Sequence, residues 1–146
     1  MNDEYLIKID EPGIQQTCDA FFKWKDLNTY VKSLVSRGIN MPDAISEPMG
    51  CYCMDLVWNR GKEVGDATDL KTGKKIEFKA TSRFEGDLSS FGPKSKFDDL
   101  VFLRFNLYNN LLYVYRLSYW TYIIWNYGGS RTHDGTPVIS WPPLSR

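Results

Sequence analysis

The sequence has no long apolar run, no signal-peptide pattern and no nucleotide-binding loop. No apolar stretch approaches the roughly 20 residues that span a bilayer, and the N-terminal MNDEYLIKIDEPG is charged from Asp3 onward, without an apolar centre. The phosphate-binding pattern Gly-x-x-x-x-Gly-Lys-Ser/Thr and the nucleophile pattern Gly-x-Ser-x-Gly are both missing. We therefore expect a cytoplasmic protein without a membrane partner, a nucleotide cofactor or serine-hydrolase chemistry.

Cysteine and histidine are scarce. Cys18, Cys51 and Cys53 are odd in number and lack Cys-x-x-Cys spacing, which predicts reduced core residues rather than a zinc site or a disulfide framework. His133 is the only histidine. Mechanisms that need two or more histidines are therefore disfavoured.

Positive charge is not in excess. The chain has 18 Lys plus Arg and 18 Asp plus Glu, so attraction to nucleic acid would have to come from a local patch. Residues 71–96 hold seven cations against three acids, and a solvated lysine-rich turn would explain only the first three of these cations. The seven are Lys71, Lys74, Lys75, Lys79, Arg83, Lys94 and Lys96.

Apolar and aromatic residues are plentiful, at 42% hydrophobic content with 8 Phe, 9 Tyr and 5 Trp, and the length suits a single domain over residues 1–146. The segment QTCDAFFKWKDLNTYVKSLVSRG has apolar residues at three- and four-residue spacings, which predicts a helix that stops at Gly38. MPDAISEPMGCYCMDLVWN is a second helical segment. Pro48 predicts a kink there, or a restart with Ser46 as the N-cap.

After Gly61 the pattern becomes that of strands. EVGDATDL and KKIEFKAT flank a Thr-Gly turn, and DLVFLRFN and LLYVYRL flank Asn109-Asn110. SYWTYIIWNYGG suits a helix, with a strand as the alternative, and the tail suits one short strand before Pro142. This order, with N-terminal helices, two hairpin-like strand pairs and a C-terminal helix, predicts an α+β or mixed α/β fold.

The first hairpin gathers three polar side chains. If Thr72 and Gly73 form the turn, Thr68 faces Glu77 and Asp66 faces Lys79. Strand alternation then places Asp66, Glu77 and Lys79 on one face. Asp69 falls on the other face, although a three-residue loop would reverse this, and we prefer Asp66. Two carboxylates suit Mg²⁺, with the Phe78 carbonyl as a third ligand; an ordinary half-exposed strand is the alternative.

These motifs resemble the PD-(D/E)xK nuclease superfamily, and within it the small Type II restriction endonucleases. VGDATD supplies Asp66, with Gly-Asp in place of Pro-Asp, and IEFKAT supplies Glu77 and Lys79. DAISEPMGCYCMDL offers Glu47 as the upstream acid, and SSFGPKSKFDDLVFL is also similar to these enzymes. The likeness covers roughly residues 43–117. It departs from the superfamily in the stretch from residue 82 to 98, whose glycines and proline leave room only for a short or displaced helix.

The resemblance implies a restriction-endonuclease-like mixed sheet flanked by helices. It also implies Mg²⁺-dependent hydrolysis of double-stranded DNA that leaves 5′-phosphates, with Mn²⁺ able to substitute. Asp66 and Glu77 would hold the metal, Lys79 would assist the attacking water, and Glu47 would orient Lys79 or bind the metal as a further candidate ligand. A homodimer in a bacterial or phage-derived cytoplasmic system would follow.

Further positions are candidates for DNA contact. Hydroxyls and cations near the active-site strand suit phosphates, and two polar residues of the tail are candidates for reading bases. The phosphate set is Arg83, Ser89, Ser90, Lys94 and Lys96, and the base-reading pair is Arg131 and His133. Two alternatives remain open: a Holliday-junction resolvase or repair nuclease of the same fold, and a non-catalytic DNA-binding module.

Overall fold

The computed structural model describes residues 5–61, 64–83, 96–118 and 137–140. Two helices and seven strands are present in this part of the chain. They are β1 (Leu6–Lys8), α1 (Glu11–Leu34), α2 (Asp43–Met54), β2 (Val57–Asn59), β3 (Ala67–Thr68), β4 (Lys75–Thr81), β5 (Asp99–Asn106), β6 (Leu111–Ser118) and β7 (Pro137–Ser140).

The strands form one sheet in sequence order, from β1 to β7. All neighbours are antiparallel except β4 and β5, which run parallel, with Glu77 opposite Leu100 and Lys79 opposite Phe102. The predicted mixed sheet with helices is confirmed. The predicted C-terminal helix over residues 118–129 lies outside the described residues, apart from Ser118, which ends β6.

Helix α1 begins earlier and ends earlier than the sequence predicts. The Asp10 side chain accepts a hydrogen bond from the Gly13 N–H (2.8 Å) and caps the helix, with Pro12 in the first turn. The helix ends at Leu34 rather than at Gly38. Gly38 instead allows the following loop to approach α1, since a Cβ there would lie 2.2 Å from Asn28 Oδ1.

Helix α2 continues through Pro48 without a break, and Ser46 is not its N-cap. The Ser46 N–H already donates to the Pro42 carbonyl (3.1 Å), so Ser46 lies inside the helix. Pro48 costs one helical hydrogen bond because it has no N–H to donate. The prediction that this helix extends through Val57–Asn59 is wrong, because those residues pair with β1 as strand β2.

The predicted hairpins have the correct faces but not always the correct register. β5 has the predicted bounds, and Asn110 adopts the left-handed conformation in the following turn (φ 56°). In the first hairpin Thr68 pairs with Lys75, two residues from the predicted partner, because the Gly73 N–H bonds to the Asp69 carbonyl and enlarges the loop. A shift of two residues leaves every side chain on its predicted face.

The core lies between both helices and one face of the sheet. Phe21 of α1 stacks on Phe105 of β5, with ring centroids 5.6 Å apart. In α2, Gly50 approaches the sheet so closely that a Cβ there would lie 2.7 Å from the Phe78 ring. Of the three cysteines predicted to lie in the core, Cys51 is fully buried, whereas Cys18 and Cys53 are partly buried. In the described residues no helix has the length and apolarity to cross a membrane.

Candidate active site

A cleft of about 810 Å³ lies beside β4 where β3 begins, close to the start of α2. The structure brings all the predicted catalytic residues to this one cleft. Its lining includes Glu47, Asp66, Glu77, Phe78 and Lys79. The predicted residues therefore share the cleft, although two elements, α2 and β4, and the segment before β3 contribute them.

Asp66 is fixed to the neighbouring strand by two hydrogen bonds. Its N–H donates to the Ile76 carbonyl, and its Oδ2 accepts from the Phe78 N–H, both at 2.8 Å. The carboxylate thus accepts the hydrogen bond that a backbone carbonyl of the neighbouring strand would otherwise accept from β4. Since the N–H and C=O of a strand residue point to the same side, the Phe78 carbonyl also points toward this carboxylate. Two hard oxygen donors are therefore brought to the same side of β4.

Gly65 makes this arrangement possible. Its φ is 83°, a conformation that strains any residue with a Cβ and that proline cannot adopt. A Cβ at Gly65 would also lie 3.0 Å from the Ile76 carbonyl oxygen. The Gly-Asp pair in place of Pro-Asp is therefore a backbone requirement of this hairpin.

Gly65→Ala is expected to destabilise the protein by about 1–3 kcal/mol and to lower DNA cleavage by tenfold or more, because Asp66 would be pushed away from β4. Chemical denaturation and plasmid cleavage measure the two effects. Gly73→Ala is the matched control: it has the same strain (φ 73°) but no atom within 4 Å of the added Cβ. Equal activity of the two variants would contradict this role for Gly65.

Glu77 and Lys79 lie two residues apart on β4 and share one face. Lys79 Nζ is 3.9 Å from Glu77 Oε1, and the side chains of Lys79 and Glu77 are 34% and 23% exposed. Both are therefore partly shielded from water yet reachable from the cleft. An ammonium at this distance stabilises the ionised form of the carboxylate, and it can also donate a hydrogen bond to a bound phosphate.

Glu47 reaches the cleft from α2 and is held by a contact that the sequence did not reveal. The Trp58 indole N–H donates to Glu47 Oε2 (2.7 Å), and the Arg60 guanidinium covers the Trp58 ring at 5.5 Å. Gly50, one turn after Glu47, lets α2 approach β4. Glu47 is thus in the body of the helix, rather than an acid of its first turn that only complements the dipole.

Negative charge is crowded in the cleft. Burial is the main cause that raises the pKa of Glu47 from 4.5 to about 7; the charges of Asp66, Asp43 and Glu77 act in the same direction, and the hydrogen bond from Trp58 opposes the rise. Burial also raises the pKa of Asp66 and that of Glu77, while the Lys79 ammonium opposes part of each rise. Asp43, the first residue of α2, is a cleft acid that sequence reasoning missed. Such a cluster attracts a cation.

Glu47→Gln is expected to stabilise the metal-free protein by about 1 kcal/mol at pH 8, allowing for partial solvent screening. The Glu47 pKa is higher in the folded protein than in the unfolded chain, so ionisation opposes folding. This penalty is complete above about pH 7 and disappears as the pH falls through 4.5. Urea denaturation of both proteins at pH 8 and pH 5 checks this; a stability difference that does not change with pH would contradict it.

The donor set fits Mg²⁺. Two carboxylates and a backbone carbonyl are hard oxygen ligands, and Mg²⁺ is commonly bound by one or two carboxylates while it keeps several waters. Within the described ranges no three Asp, Glu, His or Cys side chains come close enough to form a metal site by themselves. A cation held by these donors would therefore need oxygens of water or substrate to complete its coordination.

Asp69, the alternative to Asp66, lies elsewhere. Its Oδ2 is 3.4 Å from Arg116 Nη2, and Arg116 also pairs with the buried Asp99 at 2.8 Å. Its Oδ1 accepts from the Lys71 N–H. Asp69 therefore belongs to an ion-pair network at the turn end of the hairpin and does not line the cleft.

Only two of the candidate DNA-contact residues are among the described residues, and one of them lines the cleft. Arg83 is exposed and lines the cleft, whereas Lys96 is exposed but does not line it. The other candidates lie outside the described residues, and for them DNA contact stays a prediction. They are Ser89, Ser90, Lys94, Arg131 and His133.

A mixed sheet with an aspartate at one strand, Glu-x-Lys on the next and a glutamate on a preceding helix is the arrangement of the PD-(D/E)xK nucleases, the class indicated by the sequence. More specifically, the chain belongs to the Bsp6I restriction endonuclease family, whose model, described as "Bsp6I restriction endonuclease", matches residues 9–125. It is 44% identical over 110 residues to the Type II restriction enzyme Bsp6I of Bacillus sp. (strain RFL6). The match covers 75% of this chain and 63% of that enzyme, less than two thirds of its length.

Proposed function

We propose that this protein is a Type II restriction endonuclease that uses Mg²⁺ to hydrolyse phosphodiester bonds of double-stranded DNA at a specific sequence, leaving 5′-phosphates. The observation that carries the proposal is the convergence of Asp66, Glu77 and Lys79 on one cleft. Family membership and the similarity to a Type II restriction enzyme agree with it. Cleavage, metal dependence and cytoplasmic location are part of the proposal.

Asp66, Glu77 and the Phe78 carbonyl would hold the metal. When bound, Mg²⁺ supplies Lewis-acid stabilisation of charge on the scissile phosphate and makes water more acidic; Mn²⁺ would serve similarly. The hydrogen bond from the Phe78 N–H fixes the Asp66 carboxylate before the metal arrives. The carboxylate is therefore already positioned beside β4, which limits the reorganisation that catalysis would require.

Lys79 and Glu47 would act on the water and the phosphate. The Lys79 ammonium can donate hydrogen bonds to the attacking water or to a non-bridging phosphate oxygen, where negative charge develops. Glu47, held by Trp58 at 2.7 Å, would orient Lys79 or a water beside the metal. Both residues lie in the same cleft as the metal donors.

A homodimer is also part of the proposal. Enzymes that recognise palindromic sites commonly use two-fold symmetry to match that of the DNA. On α1, Leu27, Tyr30 and Leu34 are 53%, 64% and 67% exposed and are spaced as one helical stripe. This stripe supports the proposal of contact between two copies, which sedimentation of the purified protein would detect.

Plasmid cleavage tests the function. Purified protein is incubated with Mg²⁺ and either supercoiled plasmid or a synthetic four-way junction, with parallel reactions in EDTA and with Glu77→Ala. We expect discrete fragments from the unaltered protein and none in either control. Cleavage restricted to four-way junctions would instead make the protein a resolvase, and tight DNA binding without any cleavage would make it a binding module.

A further inference from the structure

A second groove, of about 320 Å³, continues from the active-site cleft toward the end of α1. The two share part of their lining, so the groove begins where the cleft ends. The shared residues are Asn40, Ser82 and Arg83. Since Ser82 and Arg83 follow β4 directly, the groove is tied to the strand that carries Glu77 and Lys79.

The groove differs from the cleft in charge. The described residues that line it include the cations Lys32, Arg37 and Arg83, with no carboxylate among them. The active-site cleft, by contrast, is lined by four acids: Asp43, Glu47, Asp66 and Glu77. A nucleic acid strand with one phosphate in the acidic cleft would therefore have its next phosphates in the basic groove.

Hydrogen bonds with buried side chains of α1 hold the loop that lines the groove. Asn28, only 5% exposed, accepts a hydrogen bond from the Ile39 N–H at 2.7 Å. The indole N–H of Trp24, 6% exposed, donates to the Asn40 carbonyl at 3.2 Å. Two buried side chains of α1 thus fix the loop whose Asn40 lines both the groove and the cleft, and Gly38 permits its close approach.

We infer that this groove, through Lys32 and Arg37, binds the sugar-phosphate backbone of the DNA strand next to the scissile phosphate. The inference rests on the proposed function and adds two contact residues to it. Phosphate contacts set the position of the duplex without reading its sequence. Lys32 and Arg37 are therefore positioning residues. They hold the negatively charged target phosphate in the acidic cleft despite its repulsion by the carboxylates there.

The salt dependence of DNA binding tests this inference. Binding of a short, fluorescein-labelled duplex of mixed sequence is measured in EDTA over a series of KCl concentrations, for the unaltered protein and for Lys32→Gln, Arg37→Gln and the double variant. Each substitution should reduce the slope of log affinity against log salt by about 1 for each phosphate that the side chain neutralises. In plasmid cleavage the KM should rise while kcat at saturating DNA stays unchanged.

Lys23→Gln is the matched control, because Lys23 is an exposed cation of the same helix that pairs with Asp19 at 2.9 Å and lies outside the groove. Lys32 and Arg37 variants with the slope and KM of this control would overturn the inference while leaving the nuclease function intact. A changed oligomeric state with an unchanged slope would assign the groove to a protein interface and overturn it as well. If the unaltered protein neither bound nor cut DNA, the proposed function would fail, and this inference with it.

Discussion

Asp66→Asn is expected to lower plasmid cleavage by about 10³-fold or more, since several kcal/mol of metal-derived stabilisation would be lost. Asparagine keeps an oxygen that can accept the Phe78 N–H bond, so the hairpin should fold as before. What it removes is the charge that the metal requires. Circular dichroism and chemical denaturation should show a folded variant of nearly unchanged stability.

Asp69→Asn is the control for this experiment, because Asp69 lies on the same hairpin but outside the cleft. It would weaken the ion pair with Arg116 (3.4 Å) and reduce stability modestly, by about 1 kcal/mol. Cleavage by this variant should stay within a few-fold of the unaltered rate. Wild-type cleavage by Asp66→Asn, or a severe loss of cleavage in Asp69→Asn alone, would indicate that Asp69 and not Asp66 is the metal ligand.

Lys79→Met is the second substitution with a large expected effect, a fall in cleavage of about 10²–10³-fold. Methionine keeps an apolar stem of similar length but has no ammonium to place beside Glu77 or the phosphate. Metal binding should be retained or strengthened, because the cation that competes for the carboxylates is removed. Single-turnover cleavage at saturating Mg²⁺ and DNA isolates the chemical step.

Lys75→Met controls for loss of a lysine from the same face of the same strand. Lys75 donates to the Thr68 hydroxyl at 3.1 Å and does not line the cleft. We expect cleavage close to that of the unaltered protein. Should the two variants lose activity equally, the effect would be one of general charge, and the proposed role of Lys79 would be wrong.

Much of the fold was predictable where the pattern is local and repeated. β5 and β6 are eight-residue runs rich in apolar and aromatic residues and meet at an Asn-Asn turn, so their pairing follows from the sequence pattern. β1 and β2, by contrast, have three residues each. Strands so short exist because neighbours pair with them, and no periodicity of their own indicates them.

The register of the first hairpin shows how a site can be predicted from an imperfect fold. A loop closed by the Gly73–Asp69 hydrogen bond moved the pairing by two residues. Side-chain direction has the same period, so Asp66 and Glu77 stayed on one face. The predicted grouping held because the loop differed from the expected one by an even number of residues; a change of one residue would have placed Asp69 on that face instead of Asp66.

The parts of the site that were missed depend on tertiary contacts. Trp58 meets Glu47 only because β2 returns alongside α2, and Asp43 joins the acids only because α2 begins at the cleft. The basic groove arises in the same way, from the end of α1 and the end of β4. None of these pairs has a spacing in sequence that would indicate contact before the fold is known.

The central claim is that Asp66 and Glu77 hold one divalent cation between them. Binding of Mn²⁺ followed by electron paramagnetic resonance tests it directly, since the signal of aqueous Mn²⁺ is lost when the ion is bound. We predict that the unaltered protein and Asp69→Asn deplete this signal equally, while Asp66→Asn and Glu77→Gln leave most of it. Undiminished Mn²⁺ binding by Asp66→Asn and Glu77→Gln would contradict the account.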